Sequence, residues 1–208
     1  MPSTPETLLI IGMATAVVFV TVLLINGAFR PGYNPTYHTG SELSLGEHGW
    51  IQIANFLQLG TGMFAFAVGV NQTLNTLIGA VLLVIFGLGM IAAGVFLPDP
   101  TRGYPPGATT GTSDKVSWHH QVHSVLGGPV AFLAIFGACL TLAGRLDGSW
   151  RVYTMLTAVV GLSLTIGTAI AFLRDARSTG LVQRSLILVY MSWIVLLGIH
   201  LLSQPPQP

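Results

Sequence analysis

"LNTLIGAVLLVIFGLGMIAAGVFLPDP", residues 74–100, runs as far as Leu97 without one charged side chain and then stops at Pro98-Asp99-Pro100. As a helix rising about 1.5 Å per residue, such a run outlasts the roughly 30 Å hydrocarbon layer of a bilayer. It therefore predicts a membrane span over 74–97. Working outward, similar runs predict five more, near 7–28, 50–70, 121–143, 152–173 and 185–203, none with Asp, Glu, Lys or Arg in its middle. Charged residues make up 7% of the chain, against roughly 25% in soluble proteins, and the mean hydropathy is +0.71. The fold class is all-α: a polytopic six-helix bundle, with residues 1–208 as a single integral membrane domain in a lipid bilayer. Too little sequence remains for a separate soluble domain, and a net charge of +1 argues against a nucleic-acid partner. "MPSTPE" has no basic stretch ahead of the first span, which therefore reads as a retained helix rather than a signal peptide. Cys139 is the only cysteine, so no intrachain disulfide is available.

Six spans deal the loops alternately to two faces. One face receives only "NQTLN" and "RLDGSW" with the termini; the other receives residues 29–49, 98–120 and 174–184. Glu42, Glu47, Asp99, Asp114 and Asp175 lie on or beside this second face, as do five of the six histidines. Arg30, Arg102, Lys115, Arg174, Arg177 and Arg184 lie there too, which by the positive-inside rule makes the face cytoplasmic. Trp50, Trp118 and Trp150 fall at span ends as interfacial anchors, whereas Trp193 is mid-span packing. Small-residue pairs such as Gly89/Ala93 and Gly127/Ala131 predict close helix approach. "NQT" at 71–73 matches a glycosylation pattern but sits in a turn close to the bilayer.

The two long loops share Gly-Tyr-x-Pro-x-x-x-Thr-Gly, at 32–40 and 103–111, each followed by an acid (Glu42, Asp114) and a serine (Ser44, Ser117). A repeat of about 70 residues would make the chain three helical hairpins; convergent turn chemistry, since Gly, Pro and Thr crowd any loop, is the simpler source of the pattern. Beyond the second copy, "SWHHQVHS" opens the fourth span with Ser117 placed as N-cap. His119 and His123 are four apart and so share a helix face. They are the candidate metal ligands for a transition metal such as zinc, with Asp99, Glu47, His48 and His120 available as a third ligand. Asp99 is also the candidate general base. His200 lies about 16 residues into the last span, roughly 24 Å deeper, and is excluded from the cluster.

"FLPDPTRGYPPG" followed by "SWHHQVH" resembles the bacterial and archaeal membrane proteins grouped as domain of unknown function 998. "GYNPTYHTGSELSLGEHGWIQIANF" and "GLVQRSLILVYMSWI" are similar to that family's first loop and last span. The resemblance implies a six-helix bundle, a shared polar face carrying Glu42, Asp99, Tyr104, Ser117, His119, His123 and Arg184, and the cytoplasmic membrane of a prokaryote. It implies no activity. His120 stands where the family usually has Gly, and Gln183 where Glu often precedes the Arg.

Three readings compete. One is binding of a lipid or small-molecule ligand at the polar face, with Glu42, Glu47, His48, Asp99, Tyr104, Ser117 and Arg184 as contacts. A second is a structural or accessory protein, in which His119 bonds across to Asp99 or Glu42, and Tyr33 packs on Tyr104. The alternative is a membrane-embedded, zinc-type hydrolase of a lipid-like substrate, distantly similar to alkaline-ceramidase-type enzymes, which spread their histidines over separate helices.

Overall fold

A computed structural model describes residues 3–111 and 116–204. Asp114 and Lys115, placed above on the loop-rich face, lie outside the described residues. The helices are α1 (Thr4–Phe29), α2 (Gly49–Leu74), α3 (Leu77–Val95), α4 (Trp118–Val125), α5 (Ala131–Ala143), α6 (Gly148–Leu173) and α7 (Thr179–Leu202). α4 and α5 form one span, Trp118–Ala143, so among the described residues six helical units are long and apolar enough to cross a membrane. The chain is an all-helical integral membrane protein.

Between α4 and α5 the residues Leu126–Val130 form a π-helical turn, with Gly128 at φ −102° and ψ −107°. The cause is local. Pro129 has no N–H to donate, and its ring would strike the carbonyl one turn back, so the helix widens where two glycines permit it. At the opposite face α2 runs on through Leu74 and ends on Asn75, whose φ of 46° turns the chain into α3. "NQT" is thus the last turn of α2 rather than a loop. Within hydrocarbon a helix is the conformation that satisfies its own backbone, and it persists until a residue that tolerates the left-handed region ends it.

Each span packs on its neighbours in sequence, and α7 returns to α1, closing a ring. Phe66, Phe86, Tyr190 and Trp193 fill its interior, with Trp193 Nε1 donating to Thr154 Oγ1 at 3.2 Å. The small residues interlock as expected: a Cβ on Gly89 would lie 2.6 Å from Ala131 Cβ, and one on Gly127 would lie 2.8 Å from Ala93 Cβ. The backbones of α2 and α3 also approach closely. A Cβ on Gly60 would meet Gly87 O at 2.6 Å, and one on Gly87 would meet Gly60 O at 2.7 Å. Carbonyls cannot rotate away as a side chain can. Gly60→Ala is therefore expected to cost about 1–3 kcal/mol, read as a lower thermal midpoint in detergent. An unchanged midpoint would mean the two helices do not touch there.

Candidate functional site

The three segments of the loop-rich face fold together as a cap. Tyr33 and Tyr104, the matching tyrosines of the two Gly-Tyr loops, pack edge to face at 5.3 Å, with the His38 ring against both. Their preceding glycines share a positive φ, 73° at Gly32 and 76° at Gly103. His38 Nδ1 accepts from the Asn34 N–H at 2.9 Å, which leaves the proton on Nε2 to donate to Arg102 O at 3.1 Å. Both bonds fix the ring as a strut between loops.

Two arginines complete the cap. The Arg102 side chain is fully buried and donates from Nε to Asp175 Oδ1 at 3.0 Å and from Nη2 to Thr179 Oγ1 at 3.3 Å. Its guanidinium lies 3.8 Å over the Tyr37 ring, and Tyr37 itself donates to Asp175. Arg184, near the start of α7, donates from Nη1 to His38 O and Gly180 O, each at 3.0 Å, and from Nη2 to the Tyr33 hydroxyl. Gln183 Oε1 accepts from the Gly40 N–H at 2.7 Å, so the amide keeps the acceptor a glutamate would offer. Burial pushes the Tyr33 hydroxyl up to about 12 although Arg184 pulls it down, and burial also raises Tyr104 against the pull of Arg30.

Beneath the cap sits Glu42. Its Oε2 accepts from the Thr39 N–H and hydroxyl, closing a capping box on the short helical turn Gly40–Ser44. Burial raises its carboxyl above the usual value, with the Thr39 bonds and then His38 and Arg102 acting against it. Among the described residues, six buried side-chain atoms have no hydrogen-bond partner. Glu42 Oε1, Arg102 Nη1, Ser44 Oγ, Asn26 Nδ2 and Gln52 Nε2 are at the loop-rich end, and Tyr190 OH is within α7. Deeper down, α2 is tied to α1 by Asn55 Nδ2 to Phe19 O at 3.0 Å and Gln58 Nε2 to Thr15 O at 3.2 Å.

The histidine stretch forms a separate group. Ser117 caps α4, its hydroxyl accepting from the His120 N–H, while its own N–H donates to Asp99 Oδ2 at 2.7 Å. Asp99 N–H in turn donates to His120 Nδ1 at 2.9 Å, and His123 Nδ1 donates to Phe96 O at 2.7 Å. His119 instead lies tilted against Trp118, ring centroids 3.7 Å apart, and is exposed. The expected partner of Asp99 was His119; the structure gives His120. The segment 96–99 lies along the face of positions 120 and 123, three apart, and His119 is turned about 100° from His120. No three His, Cys, Asp or Glu side chains converge in a metal-sized group among the described residues. Burial works to raise the Asp99 carboxyl, but the Ser117 hydroxyl and N–H, with His120 and His119 nearby, hold it below the usual value. A carboxyl depressed on folding stabilises the fold above its unfolded value and loses that contribution as pH falls through the folded one. Asp99→Asn should therefore flatten the acid side of the stability profile, as thermal midpoints between pH 3 and pH 7 would register. A profile unchanged from wild type would contradict it.

The expected site residues thus divide. Glu42, Tyr104 and Arg184 meet in the cap; Asp99, Ser117, His119 and His123 lie at the α3–α4 connection. Glu47 and His48 are exposed, with the His48 carbonyl taking Arg30 Nη2 at 2.7 Å. His38, Arg102, Asp175 and Thr179 were not singled out from sequence. A usable signal was Arg102 itself, a lone cation next to the repeated Gly-Tyr. His200 stacks on Trp150 at 4.2 Å, away from both groups as expected.

A family model described as "Protein of unknown function (DUF998)" matches residues 13–200. No curated protein and no solved structure matches the chain.

Proposed function

The chain belongs to the DUF998 family of proteins of unknown function, and from that premise we propose that it is a membrane-embedded binding protein of the prokaryotic cytoplasmic membrane whose cap closes over a small polar ligand. One observation carries the reading. Of the five unpartnered buried atoms at the loop-rich end, two are of opposite charge character, Glu42 Oε1 and Arg102 Nη1. Buried polar atoms are rarely left unsatisfied, because each costs about 1–3 kcal/mol or more. A ligand that accepts from the arginine and donates to the glutamate would satisfy both. Such a pairing fits a zwitterion, a carboxylic acid or an amide.

The test is a thermal-shift screen of zwitterions, carboxylic acids and amides on the purified wild type and the Glu42→Gln variant. A ligand at about 100 times its Kd adds about 2.7 kcal/mol, a rise of about 5–10 °C for a chain of this size. That rise should be lost in Glu42→Gln. No shift with any compound, or an equal shift in the variant, would overturn the reading.

A structural role for the cap is favoured by the way Arg102 and Arg184 stitch its loops. The pH dependence of the empty protein separates the two. A carboxyl raised on folding from 4.5 stabilises below that value and loses the contribution as pH rises through the folded value. Glu42→Gln, lacking this loss, should be at least as stable as wild type near neutral pH under the binding reading. A clear destabilisation there would make Glu42 a structural residue.

A further inference from the structure

Outside the cap, a groove of about 400 Å³ runs between α1 and α2 at the loop-rich end of the bundle. Its walls are Val22, Ile25 and Ile51; its mouth holds Asn26, Arg30 and His48. Ile25 is 56% exposed and faces the lipid, while Trp50, 65% exposed in the first turn of α2, marks the interfacial level where aromatic anchors sit. The groove is therefore apolar at acyl-chain depth and polar at headgroup depth.

Three features of the mouth specify the chemistry. Arg30 donates to Asn26 Oδ1, Leu45 O, Tyr104 OH and His48 O, all neutral acceptors. The ion pairs of arginine among the described residues join Arg102 to Asp175 and Arg151 to Asp147, so neither supplies Arg30 with a carboxylate. Its charge is held in place without a counter-ion. Because Arg30 Nε and Nη2 both donate to Asn26 Oδ1, the orientation of that amide is forced, and its Nδ2 is the atom left buried without a partner. His48 uses only its carbonyl in the fold, and its exposed ring remains a further donor.

We propose that the groove seats one anionic phospholipid of the surrounding bilayer. The phosphate lies against the His48 ring at the Asn26 end of the groove, within the field of Arg30, and an acyl chain lies along Val22, Ile25 and Ile51. Basic pockets between spans at the headgroup level are where anionic lipids are recognised, and the mouth without its apolar walls would hold any phosphate. The one acid beside it in sequence is Glu47, exposed and without a hydrogen bond among the described residues; its charge opposes the lipid phosphate.

The experiment is native mass spectrometry on the delipidated full-length protein titrated with phosphatidylglycerol, with phosphatidylcholine of the same chains, and with inorganic phosphate as competitor. One phosphatidylglycerol per chain should bind about tenfold more tightly than phosphatidylcholine, a difference set by the net headgroup charge. Ile25→Trp fills the groove from its lipid-facing side without touching the core and should abolish the preference. His48→Ala should weaken binding, and Glu47→Gln should tighten it. Equal affinity for the two lipids, or an unchanged preference in Ile25→Trp, would overturn the proposal. Displacement of the lipid by millimolar phosphate would also overturn it, identifying a free-anion site instead.

Discussion

Arg184→Leu is expected to lower stability by about 3–5 kcal/mol, because a buried guanidinium that donates to three neutral acceptors is removed and each buried acceptor left short of a donor costs about 1–3 kcal/mol. For a chain of this length that is a fall of roughly 10 °C in the thermal midpoint. Three bonds go at once: His38 O and Gly180 O lose their Nη1 donor, and the Tyr33 hydroxyl loses Nη2. Leucine restores apolar volume but no donor, and loop 30–48 would be held to α7 only through Gln183 and the Leu181 N–H. Far-UV circular dichroism should stay close to wild type, because the spanning helices satisfy their own backbones. Hydrogen exchange should quicken over residues 30–48. A variant melting within a degree or two of wild type would show that Arg184 is not a fastener of the cap.

Gly180→Val should reach a similar size by the opposite route, adding atoms where none fit. The first loop lies across the start of α7, with the Leu181 N–H donating to Thr36 O at 3.0 Å. A Cβ at position 180 would run into His38 O and lie 2.6 Å from Pro35 O, with Arg184 Nη1 at 2.9 Å. Two of the three are backbone atoms of a loop already pinned by His38, so relief requires the loop to lift. We expect a loss of about 3 kcal/mol, at the upper end for overpacking, with Gly180→Ala intermediate between it and wild type. Thermal unfolding of the graded series checks this, and a flat series would refute the contact.

The helices were legible because a bilayer demands long uncharged runs, and residues 74–100 announce one without ambiguity. What hydropathy does not register is backbone detail. Gly127-Gly128-Pro129 is as apolar as its surroundings, so the fourth span reads as one helix although a π-turn divides it. At the site, spacing along one helix suggested His119 with His123. The decisive fact was which face meets residues 96–99, and that depends on a connection of some twenty residues rather than on α4. Arg102 was harder still. Its partners Asp175 and Thr179 are 73 and 77 residues away, and His38 is 64 residues away in the other direction. No local pattern encodes pairings at that range. The packing of Tyr33 on Tyr104 was readable because both loops carry the same Gly-Tyr signature.

The cap also carries a schedule. Its first part, residues 30–48, leaves the ribosome more than a hundred residues before Arg184, and Arg102 precedes its partner Thr179 by a further long stretch of chain. Until α7 is inserted, His38 O, the Tyr33 hydroxyl and the Arg102 guanidinium have none of the partners that α7 brings. Closure of the loop-rich face is therefore a report that α7 has arrived, and a chain stalled before it would present an open, charged surface to whatever surveys unfinished membrane proteins.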